Sequence, residues 1–288
     1  MSEAVEEERL QKFLARAGIA SRRAAETMIL AGRISVNGQV VRTLGTKVAS
    51  GRDVVAVDGK DVKLEQERHW YIFYKPVGVI TTLSDPQERE TISDFTKPLG
   101  LRLFPVGRLD YDAEGALLLT DDGEIANKLM HPRHQVERTY LTKVKGVPTP
   151  ASLQRLLDGV RLEDGPAKAV EASIFNSAEK NTWLKLVVTE GRQHLVKRLC
   201  AAVGHPVMRL FRPAHAGISV QKLDPGSLRV LTDDELSIVK SVSSGNAAPA
   251  IELFLPARRH GRHGESARDD EEPQARKLMT HRVKARRN

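Results

Sequence analysis

The residues most able to do chemistry stand in the segment FPVGRLDYDAEGALLLTDDGE, residues 104–124. Gly107 gives the backbone freedom ahead of Arg108, Leu109 and Asp110, and the apolar run from Ala116 to Leu119 reads as a buried strand just beyond. Asp110 therefore stands on a loop anchored by core, where catalytic groups are commonly mounted. A loop aspartate can equally serve as an Asx turn. With Asp112, Glu114 and Gly115 it also approaches the start of a calcium loop. Such a loop needs a bidentate Glu at its twelfth position and a helix on either side. Here that position is Asp121, Pro105 and Gly107 precede, and a strand follows. Three further segments carry candidate groups: FYKPVGVITT with Lys75, Pro76 and Gly78; VERTYLTKVKG with Tyr140 on a strand; and EGRQHLVKRLCAAVG, whose helix opens with Lys197 and Arg198.

The elements that must position these groups alternate. Strands are expected at Trp70–Tyr74, Ala116–Leu119, Tyr140–Val144, Trp183–Val188 and Leu228–Leu231, and helices at Glu124–Met130, Ala151–Leu157 and Leu195–Val203. The fold class implied is α+β. Before them, Leu10, Phe13, Leu14 and Ala17 recur at helical spacing up to Gly18, and Ser21 reads as the N-cap of a helix from Arg22 to Ala31 closed by Gly32. Hairpins are expected around Asn37-Gly38 and Asp58-Gly59, dipeptides that tolerate positive φ. The divisions that follow are 9–65, a small module; 66–242, the larger domain; and 243–288, a tail. In the tail, Arg258 to Asn288 holds ten Lys or Arg against five acids with almost no large apolar residues, a composition that predicts disorder unless a partner orders it.

Composition narrows the classes. No apolar run approaches the roughly 20 residues that span a bilayer, and the acidic opening Met1–Glu8 has neither signal-peptide nor presequence character, so the cytoplasm is the expected place. Cys200 is the single cysteine, which excludes an intramolecular disulfide and a cysteine-rich zinc site. A formal charge of +8 favours a polyanionic partner. The cations of the small module gather around the second helix's N-terminus: Lys12, Arg16, Arg22, Arg23 and Arg33. Backbone amides and the helix dipole already favour anions there.

The run RLQKFLARAGIASRRAAETMILAGRISVNGQVV resembles the S4-type RNA-binding domain, which implies Ser21, Arg22, Arg23 and Arg33 as first RNA contacts, with Lys12 and Arg16 behind them. From Trp70 to Thr232, the four segments above resemble the RsuA/RluB family of ribosomal pseudouridine synthases, G-R-L-D followed by an apolar strand being the most specific part. That resemblance implies a mixed, mainly antiparallel sheet; catalysis without metal or cofactor; and Asp110 as the nucleophile. Lys197 would keep Asp110 ionised, with Arg192 in reserve, and Arg198 would complete the basic pair. Tyr140 would stack on the extruded uridine and assist removal of its C5 proton. Arg108 would meet a phosphate or fill the vacated stack, and Lys75 would shape a phosphate-binding strand end. Two departures stand out: Ala113 replaces the family's Thr or Ser, and Lys197 replaces an arginine, losing its bidentate fork. The segment GEIANKLMHPRHQVERTY points to 23S rather than 16S rRNA, free or within an assembling subunit, and a monomer is expected. A non-catalytic RNA-binding assembly factor on the same fold is the alternative, with a calcium module a distant third.

Overall fold

The computed structural model describes residues 7–64 and 67–257, so Arg258–Asn288 lies outside the described residues. Its α-helices are α1 (Leu10–Arg16), α2 (Arg22–Leu30), α3 (Ile92–Thr96), α4 (Gly123–Met130), α5 (Pro150–Asp158), α6 (Leu195–Ala202) and α7 (Asp233–Ser243). None of them is long and apolar enough to cross a membrane.

In the N-terminal module, the Ser21 hydroxyl accepts from Ala24 N at 3.1 Å and starts α2, while Gly18 and Gly32 take positive φ after α1 and α2. Asn37 and Asp58 lie at φ 50° and 47°, each followed by a glycine at 78°, the geometry of the two-residue hairpin turn. These turns organise a four-stranded sheet in the order Gln39–Val41, Ile34–Val36, Val55–Val57, Lys60–Asp61. Leu10, Phe13, Leu14, Ala25 and Ile29 from the helices pack with Ile34, Val48 and Val55 beneath it. The pair Glu7–Arg9 with Lys47–Ala49 was not foreseen; its three-residue strands are too short for an alternation to register.

The larger domain is an eight-stranded sheet. Seven strands follow in the order Glu171–Ser177, Asn181–Val188, Arg138–Lys145, Val207–Arg212, Ala113–Thr120, Trp70–Lys75, Leu228–Val230, with Phe104–Pro105 adding to Ala113–Thr120. Every pairing is antiparallel except that of Val207–Arg212 with Ala113–Thr120. Both faces are covered, so the central strands read as continuous apolar runs. In WYIFYK, Trp70, Ile72 and Tyr74 pack on one face and Tyr71 and Phe73 on the other. Gly115 is obligatory at the parallel pairing: its φ is +115°, and a Cβ there would lie 2.1 Å from the Arg212 carbonyl oxygen.

One correction concerns the C-terminal stretch. Residues 244–257 were expected to belong to a disordered tail, yet Leu253, Phe254 and Leu255 pack against the sheet core, with Phe254 edge-on to Phe211 at 5.3 Å between centroids. Arg209 also donates to the Ala257 carbonyl at 2.8 Å. The physical reason lies in Ile251, Leu253, Phe254 and Leu255, a short apolar stretch able to offset the entropy of ordering.

Candidate active site

The loop bearing Asp110 is fastened at every residue around it. The Thr81 hydroxyl donates to the Leu109 carbonyl at 2.7 Å and accepts from Leu109 N at 3.3 Å. Gly78 N donates to the Tyr111 carbonyl at 2.8 Å, and Ala113 N to the Asp110 carbonyl at 3.1 Å. Lys75 Nζ donates to the carbonyls of Ala113 (2.8 Å) and Pro76 (2.9 Å). Thr81 and Lys75 thus hold the loop on either side of Asp110, at Leu109 and at Ala113, where a side-chain hydroxyl is lacking.

This corrects the reading of Lys75 as an RNA contact. Its side chain is fully buried, and burial pushes its pKa down to about 8 against the pull of Asp110, Asp112 and Glu114. An ammonium with no access to solvent cannot meet a phosphate; it is a buried clamp on the loop that carries Asp110.

Asp110 itself is three-quarters covered. Lys197 Nζ lies 3.0 Å and His194 Nδ1 2.9 Å from its Oδ2. Both act on the same oxygen, Oδ2. Burial alone would raise the carboxyl's pKa, but the hydrogen bonds and charges of His194 and Lys197 outweigh it and hold Asp110 below the ordinary carboxylate value. Lys197 also reaches Asp112 Oδ1 at 2.5 Å. Burial alone would lower its pKa; the two carboxylates raise it instead. Both groups come from the start of α6, whose N-terminal dipole favours an anion in the same place. His194 takes a left-handed φ of 52° to present its ring.

His194 was missed by sequence reasoning. The signal was its position, three residues before Lys197 and so nearly one helical turn away, which sets both side chains on one face. Arg212 was missed too. It is 1% exposed and donates from Nε to the Ala116 carbonyl at 2.7 Å. A charged residue between Phe211 and Pro213 in a buried strand was its only mark. Nearby His215 is buried, and its pKa is driven well down by burial and by Arg212 and Arg138, so it is neutral.

The other expected site residues fall in different places. Tyr140 is 8% exposed and packs in one cluster with Leu109 and Ala113; the exposed ring beside the carboxylate is Tyr111, at 54%. Arg192 is not at Asp110: it pairs with Glu190 and with Asp164, both at 2.9 Å, because the Glu190 carboxylate two residues back captures the guanidinium. Arg198 makes a two-pronged bond to Asp164 at 2.7 and 3.0 Å. Arg108 is exposed. In the N-terminal module Arg22 and Arg23 are exposed, Arg33 pairs with Asp58, and Lys12 and Arg16 pair with Glu8. The calcium arrangement does not form: Glu114 is tied to Arg209 at 2.6 Å and Asp112 to Lys197, so the acids diverge.

Comparison with known proteins matches these two parts of the chain separately. Residues 69–202 match the model of the RNA pseudouridylate synthase family, and residues 8–54 that of the S4 domain. A protein of Aquifex aeolicus described as an uncharacterized RNA pseudouridine synthase is 48% identical over 80% of this chain and 93% of its own length. The ribosomal large subunit pseudouridine synthase B of Bacillus subtilis is 44% identical over 82% of this chain and 97% of its own. Among solved structures, a crystal structure of a pseudouridylate synthase superposes with a TM-score of 0.56 at 29% identity, covering 80% of this chain and 99% of the other. With an S4 domain leading into a sheet whose loops gather Asp110, His194 and Lys197, and with relatives that match across nearly their whole length, the chain belongs to the RNA pseudouridine synthase family of isomerases.

Proposed function

We propose that this protein converts a uridine of ribosomal RNA, in the 23S molecule, to pseudouridine, with Asp110 as the nucleophile. The observation that carries the reading is the Asp110 carboxylate, held below the ordinary carboxylate range by His194 and the Lys197 ammonium, both on one of its oxygens. The choice of 23S rRNA is supported by the name of the Bacillus subtilis relative.

The reaction breaks the bond from ribose C1′ to N1, turns the base and joins C1′ to C5; N1 gains a proton and C5 loses one. A carboxylate can add to the nucleoside and leave again, which makes the detached base transient and bound. With Oδ2 engaged by His194 and Lys197, Oδ1 is the attacking atom. The target uridine is stacked in RNA and must be extruded, at a cost of a few kcal/mol. Exposed Arg108 and Tyr111 flank Asp110 and offset that cost by contacting the strand from which the base has left. Tyr140 forms the floor of the site and assists removal of the C5 proton, which leaves as N1 gains one. The N-terminal module and its cations add affinity and orientation through the RNA backbone without choosing the base. The enzyme acts as a monomer in the cytoplasm, on rRNA free or in an assembling subunit.

The test is mapping of pseudouridine by carbodiimide-dependent reverse-transcription stops in rRNA from cells lacking the gene, complemented with wild type or Asp110→Asn. One 23S stop should vanish on deletion and return only with wild type. A stop lost from 16S rRNA would move the substrate to the small subunit, and persistence of every stop would leave the protein an RNA-binding factor.

A further inference from the structure

A cleft of about 970 Å³ opens between the N-terminal module and the sheet domain, away from Asp110. One wall is formed by α1 and the start of α2, with Ser21 and Arg22; the other by Arg68, Arg102 and the first turn of α4. Four acids also line it, and all four are already engaged. Glu8 is bound by Lys12 and Arg16, and Asp121 accepts from His69 N at 2.8 Å. Asp122 caps α4 through Glu124 N and Ile125 N, and Glu124 pairs with Lys128 at 3.0 Å.

The arginines differ. Among the described residues, Arg22 and Arg102 have no ion pair and no hydrogen bond, and Arg68 makes a single bond, from Nη1 to the Arg16 carbonyl across the junction at 3.2 Å. Burial lowers the pKa of Arg102 with no acid nearby to oppose it. A cleft whose carboxylates are spent and two of whose guanidinium groups, those of Arg22 and Arg102, are free selects anions. The N-terminal amides of α2 face the same space and add to that preference. Leu101 and Phe104 lie in the lining beside Arg102, so a polyanion with apolar faces fits better than a small free anion.

We propose that this cleft is an RNA-backbone site shared by the two domains, in which Arg22 from one side and Arg102 from the other hold phosphodiesters of a single rRNA segment. The inference rests on the proposed rRNA substrate and deepens it: the segment bound here sets the orientation of the RNA across the domain junction before a uridine reaches Asp110. Because Arg102 belongs to the sheet domain, its part in RNA binding is separate from that of the S4 module.

The experiment is equilibrium binding of a 23S rRNA transcript to the full chain across a salt series, for wild type, Arg22→Gln, Arg102→Gln and, as a control outside the cleft, Lys240→Gln. Neither arginine makes a bond that the substitution breaks, and melting temperatures verify the fold. Arg102→Gln should weaken binding roughly 5-fold or more at about 150 mM salt, and flatten the slope of log affinity against log salt by about 0.9, as expected for one lost phosphate contact. Lys240→Gln should bind as wild type does. If Arg102→Gln keeps the wild-type affinity and slope, the shared site is overturned while the proposed reaction stands. If wild type forms no pseudouridine in any rRNA but Arg102→Gln still loses affinity, the cleft stands and the reaction assigned above falls.

Discussion

The cations of the N-terminal module and those around Asp110 are alike in residue type and opposite in surroundings. Arg33 and its partner Asp58 are both about half exposed, and so is Lys12 beside Glu8. Lys197 is 23% exposed beneath the carboxylate it serves, and Lys75 and Arg212 are sealed in the core. Water and salt screen the first set, so its members contribute little to stability and act collectively on a polyanion. The second set works at low dielectric, where one charge decides the protonation state of its neighbour or the cost of folding. Position, more than charge, separates binding from chemistry in this protein.

Removing Lys197 tests that contrast most severely. Lys197→Met should lower turnover by about 10²–10³-fold, with Lys197→Arg recovering part of it. The loss should be greater at pH 5.5 than at pH 8: Asp110 is held low by His194 and Lys197, so losing the Lys197 ammonium lets its pKa rise and protonates the carboxylate in mild acid. A pH-rate profile reads this directly, and an acid limb that stays in place would break the comparison. His194→Ala should cost less, on the order of 10-fold in kcat with KM little changed, since Lys197 still holds Oδ2.

Lys75→Met sharpens the comparison through stability. The folded-state pKa of about 8 lies below the ordinary lysine value, so the unfolded chain binds more protons between about pH 8 and 10.5 and wild-type stability gains from this group as pH rises through that window. The gain is on the order of 3 kcal/mol. Urea midpoints at pH 7.5 and 10 should show it, and Lys75→Met should lack that component. The smallest effect belongs to the exposed set. Arg33→Gln should change stability by less than about 0.5 kcal/mol, and a loss above about 2 kcal/mol would mean that the surface pairs are not screened as argued.

Much of the fold was legible because it is local. Asn37-Gly38 and Asp58-Gly59 carry the φ preference of their turns, and Ser21 carries its own cap. Asp110 was legible as a loop residue because Ala116–Leu119 beyond it is apolar whichever face it packs. The strand Val207–Arg212 was not read, because Arg209 and Arg212 interrupt its pattern and its partner on the parallel side stands some 95 positions earlier in the chain. The packing of Leu253 to Leu255 escaped for a similar reason: three apolar residues beyond the last helix have no partner until the sheet exists to receive them.

By itself, then, the sequence determined the turns, the caps, the apolar runs and the order of the segments that bring a carboxylate and a cation into one family. Tertiary structure alone decided the state of each charge. Arg192 went to Glu190 and Asp164, Lys75 and Arg212 were buried, and His194 was turned onto the same oxygen as Lys197. The reason is physical: secondary structure follows from preferences within a few residues, whereas the energy of a charge depends on whatever the whole fold places around it and on how much water it leaves there.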